Sequence, residues 1–271
     1  MNYLVAINFH PFHDMQSLIR CCKSAIVSIE EFKKNKQDKI SIIVFDSSSK
    51  KHSVEVMGFL SKSNIKLEKL QFLGNGANLN YQLDYARNNN VDIFFRVDGD
   101  DLIYKDRFIR QAQLLEKNNN IDVCGGGILY ENQVSTKSYS VIPGAEPGDF
   151  DYLMNRYCLH PTFAIRMASL PVDLKYWSNR IEDKKFILDA RLAGLTFVND
   201  QHIYGIYYYH PNARNSVSSA FTSFKLNARW SLAFNPLALF WSFIILIVNV
   251  ALPTNFLRSL RKSFFRNQGQ N

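Results

Sequence analysis

Through the first hundred residues, short apolar runs alternate with stretches whose apolar positions recur every three or four residues. YLVAINF (3–9), ISIIVF (40–45), KLQFL (69–73) and VDIFFRV (91–97) have strand length and strand composition. Between the first two, Leu18, Ile19, Cys22, Ala25, Ile26, Ile29 and Phe32 mark one face of a helix, and shorter helices are predicted near 53–62 and 79–89. This strand–helix alternation predicts an α/β fold with a doubly wound, mostly parallel sheet. In such sheets ligands sit beyond the carboxyl ends of the strands. Asp46, the glycines of LGNGAN (73–78) and Asp98 all fall on that edge.

The pattern is less regular after residue 100. A helix near 105–118 leads into IDVCGGGILY, whose three mid-strand glycines predict close approach of a ligand or another backbone. PGAEPGD (143–149) reads as a loop. HPTFAIR (160–166), a helical run beginning near 181–186 and the strand-like HIYGIYYYH (202–210) complete the globular part. The sequence has no internal repeats.

With 271 residues and 46% hydrophobic content, the chain can bury a core as one domain or two fused halves. Cys21, Cys22, Cys124 and Cys158 show no CxxC spacing and fit reduced thiols. MNYLVAINFH has no basic stretch ahead of its apolar run, so no secretory signal is expected.

Charge changes the picture at the C-terminal end. The net charge is +8, yet the first 200 residues hold 25 cations against 24 acidic groups, or +1. Asp200 is the last acidic residue, and the seven cations Arg214, Lys225, Arg229, Arg258, Arg261, Lys262 and Arg266 follow it. Beside them lies LALFWSFIILIVNVAL (237–252), which has no charge; it is marginal against the roughly 20 residues a spanning helix needs. The basic, aromatic NFLRSLRKSFFR comes next. Together they predict association with membrane lipids, with a buried core helix followed by a solvated basic end as the plainer alternative; nucleic acid would call for aromatic and basic residues interleaved on a folded platform.

RVDGDD (96–101) puts three aspartates into four positions behind an apolar strand. Such crowding is costly unless the turn is solvated or a cation compensates it. A calcium EF-hand starting at Asp98 would need glycine and glutamate where Ile103 and Ile109 stand. GNGANL lacks both the third glycine of GxGxxG and the GK[ST] of a P-loop. Oxygen ligands on a nucleotide-binding edge suit Mn²⁺ or Mg²⁺ with a diphosphate.

These motifs resemble the family 2 glycosyltransferases of GT-A fold, especially those of bacterial lipopolysaccharide and exopolysaccharide biosynthesis. The resemblance runs from residue 3 to about 215 through LIRCCKS, IIVFDSSS, FRVDGDD, DRFIRQ, VCGGG, HPTFAIR and IEDKKFILDARLAG. It implies a nucleotide-sugar-binding half (1–101), an acceptor and catalytic half (102–215) and a membrane-associating segment (216–271). Asp46, Gly74, Arg96, Asp98 and Asp101 would serve the nucleotide sugar. Asp100 and Asp98 would hold the metal, joined by His210, although a surface histidine is an equal alternative there. Asp183, beside Glu182, would be the general base; the plainer alternative is two acidic groups favouring a helix N-terminus. His160 and Trp177 would face the acceptor, with a hydrogen-bonded, partly buried histidine the commoner reading of His160. Arg96 could instead neutralise the aspartates, and Asp46 could form an Asx-type turn.

The expected activity is inverting transfer of one hexose or N-acetylhexosamine from a nucleotide diphosphate sugar, expected to be UDP-linked, to a lipid-linked glycan at the cytoplasmic face of a bacterial inner membrane. Arg229-Trp230 matches the end of the QxxRW motif of processive synthases, but Leu226 replaces the glutamine, which favours single addition. A non-catalytic assembly protein and a sugar-1-phosphate nucleotidyltransferase are the alternatives. The latter would need a glycine-rich loop where NFHPFHD stands.

Overall fold

The computed structural model describes residues 1–48, 52–132, 138–148, 151–152, 157–177, 181–209, 217–234 and 238–251. Strands β1 (Asn2–Phe9), β2 (Lys39–Asp46), β3 (Lys66–Lys69) and β4 (Ile93–Asp98) form the parallel half of a nine-stranded sheet. The other half contains β5 (Leu102–Ile103), β6 (Val123–Asn132), β7 (Ser138–Val141), β8 (Ala164–Arg166) and β9 (Phe197–Tyr209). The order is β3-β2-β1-β4-β8-β6-β9-β5, with β7 paired to β6. β8 joins the halves, running antiparallel to both β4 and β6. The mostly parallel, doubly wound sheet expected from the apolar pattern is present.

Helices cover both faces. α1 (Met15–Asn35), α2 (Val54–Lys62) and α4 (Arg107–Lys117) lie on one, α3 (Asn75–Asn88) and α5 (Glu182–Leu192) on the other. Strand alternation divides the core between these faces: Tyr3, Val5, Ile7 and Phe9 of β1 pack toward α1, while Leu4 and Ala6 pack toward α3. α1 starts where the Asp14 carboxylate accepts the Ser17 N–H at 2.8 Å. It buries Leu18, Cys21, Cys22, Ala25, Ile29 and Phe32, close to the predicted stripe. All four cysteines are buried and free.

Two local expectations are corrected. β3 occupies Lys66–Lys69 rather than 69–73, because only those residues pair with Ile43–Asp46, and Phe72 and Leu73 are exposed. α3 starts at Asn75, one turn earlier than the apolar positions indicate. The glycines of β6 make room for neighbouring protein: a Cβ on Gly126 would lie 2.3 Å from the Tyr204 ring, and one on Gly125 2.8 Å from Cys158 Cβ.

Two further helices, α6 (Val217–Phe234) and α7 (Ala238–Ala251), follow β9. Trp230 anchors α6, fully buried with its ring 5.9 Å from Tyr152. α7 packs on α6 through Ser231 and Ser242, whose hydroxyls are 3.3 Å apart. No helix among the described residues is long and apolar enough to cross a membrane.

Candidate active site

The parallel strands end together, bringing Phe9, Asp46, Lys69 and Asp98 to one edge. The turn after β4 is fixed by backbone. Gly99 N–H donates to Asn8 O at 2.9 Å, and Asp101 N–H donates to Asp98 O at 3.1 Å. Gly99 is the residue the turn can accommodate, since a Cβ there would sit 3.0 Å from Asn8 O and 3.1 Å from the Phe9 ring.

Buried cations lie beneath these aspartates. Arg96 grips Asp98 with both terminal nitrogens, at 2.8 and 3.1 Å. This is the two-pronged geometry that makes guanidinium–carboxylate pairs strong. Arg107, also buried, donates to Arg96 O at 2.7 Å and Pro161 O at 3.1 Å. Asp100 is less well compensated: its Oδ1 is 3.3 Å from His13 Nε2, and burial holds that imidazole neutral, lowering its pKa to about 3. Burial, reinforced by the charge of Asp98, raises Asp100 to about 7. Asp101 is pushed well above the carboxylate range by burial and then by Asp98 and Asp100, and its buried Oδ1 has no protein partner.

This arrangement carries more carboxylate than its own cations neutralise, which is the donor chemistry a divalent cation fits. Among the described residues no three metal-binding side chains converge into a ready-made cage. A cation here would therefore depend on Asp100, Asp98 and oxygens of a bound diphosphate. His210 lies outside the described residues.

Asp46, at the end of β2, is fully buried. Its Oδ1 accepts the Ser48 N–H at 2.7 Å, and its Oδ2 meets both Lys69 Nζ and His52 Nε2. Burial would raise its pKa, but these bonds outweigh that and hold it below the ordinary value. Lys69 is half exposed, so a polar group reaching this edge from solvent meets the ammonium before the carboxylate. Gly74 takes φ +103°, a conformation glycine tolerates, and turns the chain into α3.

A chain of amides crosses from this edge to the acidic start of α5. Gln82 Nε2 donates to Asn8 Oδ1 at 3.0 Å, and Asn8 Nδ2 donates to Asn75 Oδ1 at 2.9 Å. Asn75 Nδ2 then donates to Glu182 Oε1 at 2.7 Å. Asp183 is partly exposed, and its Oδ1 accepts the Lys184 N–H at 2.7 Å. Burial raises the pKa of both Glu182 and Asp183, while the charge of Arg96 opposes the rise in each.

His160 is buried, with Nε2 2.8 Å from the Tyr176 hydroxyl; burial and the charge of Arg96 hold it neutral. Tyr176 stacks on Phe186 of α5 at 4.0 Å. Trp177 lines a cavity of about 490 Å³ together with Tyr176, Lys175, Lys185, Asp189 and Arg229. Lys185 lies one helical turn beyond Glu182 on α5, so the cavity begins beside the acidic end of that helix.

The structure thus joins Arg96 to Asp98 and connects Glu182 to the strand edge, while Trp177 lines the cavity beside α5 with Tyr176, the partner of His160. Sequence reasoning missed Asn8, Asn75, Gln82, His13, His52, Lys69 and Tyr176. Asn8, Lys69 and Asn75 had a usable signal, because each sits at a strand end or helix start on the ligand edge.

Residues 15–170 match the model of the family described as glycosyl transferase family 2. No curated protein matches the chain. Among solved structures, S. aureus TarS 1–349 in complex with UDP superposes with a TM-score of 0.63 at 19% identity, covering 92% of this chain and 71% of that one. The complex of the same TarS fragment with UDP-GlcNAc gives 0.59 at 18% identity, over 92% and 72% of the two chains. A mannosyltransferase from Pyrobaculum calidifontis, PcManGT, in complex with GDP-Man and Mn²⁺, gives 0.56 at 13% identity, over 97% and 80%. At these identities the likeness is one of fold.

Proposed function

Because the chain belongs to glycosyl transferase family 2, we propose that it transfers a single hexose or N-acetylhexosamine from a UDP-linked donor to a lipid-linked glycan, with inversion at the anomeric carbon. The observation that carries this reading is the amide chain from Asn8, beside Asp98 in the sheet, to Glu182. It holds a carboxylate-rich, nucleotide-facing edge and a pair of acidic groups in one rigid frame. The solved relatives bind UDP, UDP-GlcNAc or GDP-Man, which supports a nucleotide sugar as donor.

The acceptor hydroxyl gives its proton to Asp183 as its oxygen attacks the anomeric carbon from the face opposite the diphosphate. The new C–O bond forms while the sugar–phosphate bond breaks, and the nucleoside diphosphate leaves with the electron pair. A raised pKa suits Asp183 to this task, since a base is most effective near the working pH. A divalent cation held by Asp100 and Asp98 would stabilise the charge developing on the diphosphate. Arg96 fixes Asp98 in place through two hydrogen bonds. The cavity beside α5, with the Trp177 ring as a platform, would receive the acceptor glycan. The setting that suits such an acceptor is the cytoplasmic face of a bacterial inner membrane.

Thermal shift with UDP, GDP and CMP, each with and without Mn²⁺, tests the reading on wild type and Asp100→Ala. A metal-dependent rise with one nucleotide, lost in the variant, is expected, because a ligand that binds only the folded chain stabilises it by mass action. No rise with any nucleotide would overturn the reading.

A further inference from the structure

Helices α6 and α7 leave uncovered a face that the glycosyl-transfer chemistry does not use. Phe221 and Leu232 of α6 and Phe240, Trp241, Phe243 and Ile247 of α7 are all between 47% and 66% exposed. On α6, Phe221, Lys225 and Leu232 follow at spacings of four and seven residues, so they share one helix face. On α7, Phe240, Phe243 and Ile247 do the same. The rings of Phe224 and Phe243 meet at 6.3 Å, which brings the exposed edges of the two helices together into one surface. The opposite sides are occupied: Trp230 is in the core, and Ser231 and Ser242 are buried between the helices.

We infer that this α6–α7 face seats the protein in the headgroup layer of an anionic bilayer, lying along the surface without crossing it. Charge decides the occupant. Lys225 and Arg229 are exposed on α6, and all seven charged residues after Asp200 are cations. A second copy of the chain would bring like charges together, whereas an anionic lipid surface attracts each cation. Large aromatic side chains beside lysine and arginine are the composition that interfacial helices use.

Length decides the mode. α7 has 14 residues. At about 1.5 Å per residue it extends about 21 Å, short of the ~30 Å hydrocarbon core.

This seat also orients the molecule. Arg229 projects from α6 and lines the cavity that Trp177 shares, so one wall of that cavity stands beside the bilayer face. An acceptor whose anchor remains in the membrane could then reach α5 from below; this orientation, unlike the seat itself, rests on the transfer reading.

The test is co-sedimentation with vesicles of phosphatidylcholine alone and with vesicles mixed with phosphatidylglycerol at roughly three to one. The wild-type chain should sediment with the anionic vesicles and remain in solution with the neutral ones. Phe240→Ser combined with Ile247→Ser should weaken binding about tenfold or more. Lys225→Glu should also weaken binding and flatten its salt dependence, so that lowering the salt tightens the variant less than wild type. The nucleotide thermal shift should be unchanged in both variants, which separates a lost seat from a lost fold or a lost donor site. Two outcomes would overturn the inference: wild type failing to bind anionic vesicles, or the apolar double variant sedimenting as wild type does. So would a concentration-dependent dimer that Phe240→Ser dissolves, because the face would then belong to a second copy.

Discussion

Asn75 Nδ2 donates to Glu182 Oε1 at 2.7 Å, and the same Asn75 accepts from Asn8 at 2.9 Å, so one side chain connects the strand edge to the acidic helix start. Its replacement by Ala would take the acceptor from the buried Asn8 Nδ2 and the donor from Glu182 Oε1, while Asn8 Oδ1 keeps Gln82. An unmade hydrogen bond of this kind costs about 1–3 kcal/mol. Asn75→Ala should therefore lower the melting temperature and reduce transfer more than it weakens nucleotide binding. Equal loss of turnover and nucleotide affinity would place Asn75 against the donor instead. Calorimetry and initial rates on the same preparation separate these outcomes.

Asp183→Asn should abolish transfer while leaving the nucleotide-induced thermal shift in place. The pH profile carries a second check. Burial raises the Asp183 pKa, and a base works only when ionised. Activity should therefore fall on acidification at a higher pH than an ordinary aspartate near 3.9 would give. Glu182 is displaced in the same direction, by burial first and by the charge of Asp183 as a smaller contribution. An acid limb at the ordinary carboxylate value would remove Asp183 from the role.

Much of this architecture was legible because burial writes a period into the sequence. The continuous apolar run YLVAINF specifies a strand buried on both faces, and the stripe from Leu18 to Phe32 specifies a helix and the face it buries. RVDGDD and IEDKK were visible as chemistry because clustered carboxylates need a reason. Neutral side chains whose meaning lies in a distant partner were not visible. Asn8 and Asn75 stand 67 positions apart and His52 meets a buried Asp46, and no local pattern announces either pairing. The three glycines of β6 signalled close approach correctly, but not which groups approach: Asn199 and Cys158 at Gly125, Ile142 with the Val141 and His202 carbonyls at Gly127, and at Gly126 the His202 carbonyl and the Tyr204 ring.

That contact gives a prediction about the fold alone. A methyl on Gly126 would fall 2.3 Å from the Tyr204 ring, far inside contact distance. The ring cannot retreat freely, because its hydroxyl donates to Asp200 at 2.6 Å. Overpacking of this kind costs about 1–3 kcal/mol, so Gly126→Ala should melt earlier than wild type. Adding Tyr204→Leu should cost less in the Gly126→Ala background than in wild type, since there removing the ring also relieves the clash. Strict additivity in denaturant melts would mean the strand shifts and Tyr204 is not the obstacle.

The last prediction concerns the metal. Asp100 takes up its proton near neutrality, at about 7, because burial and the neighbouring Asp98 disfavour its charge. A cation and a proton then compete for the same carboxylate, and metal affinity falls as the proton binds. Mn²⁺ affinity of the nucleotide-free chain should be steady above neutrality and drop by up to about tenfold for each pH unit below it. His13, 3.3 Å away and held neutral, contributes no charge of its own to that slope. Electron paramagnetic resonance of free Mn²⁺ between about pH 5.5 and about pH 8 reads the affinity directly. Asp100→Asn should bind Mn²⁺ weakly at every pH and lose the slope. A wild-type affinity that does not change over this range would mean that Asp100 is not the carboxylate that meets the metal.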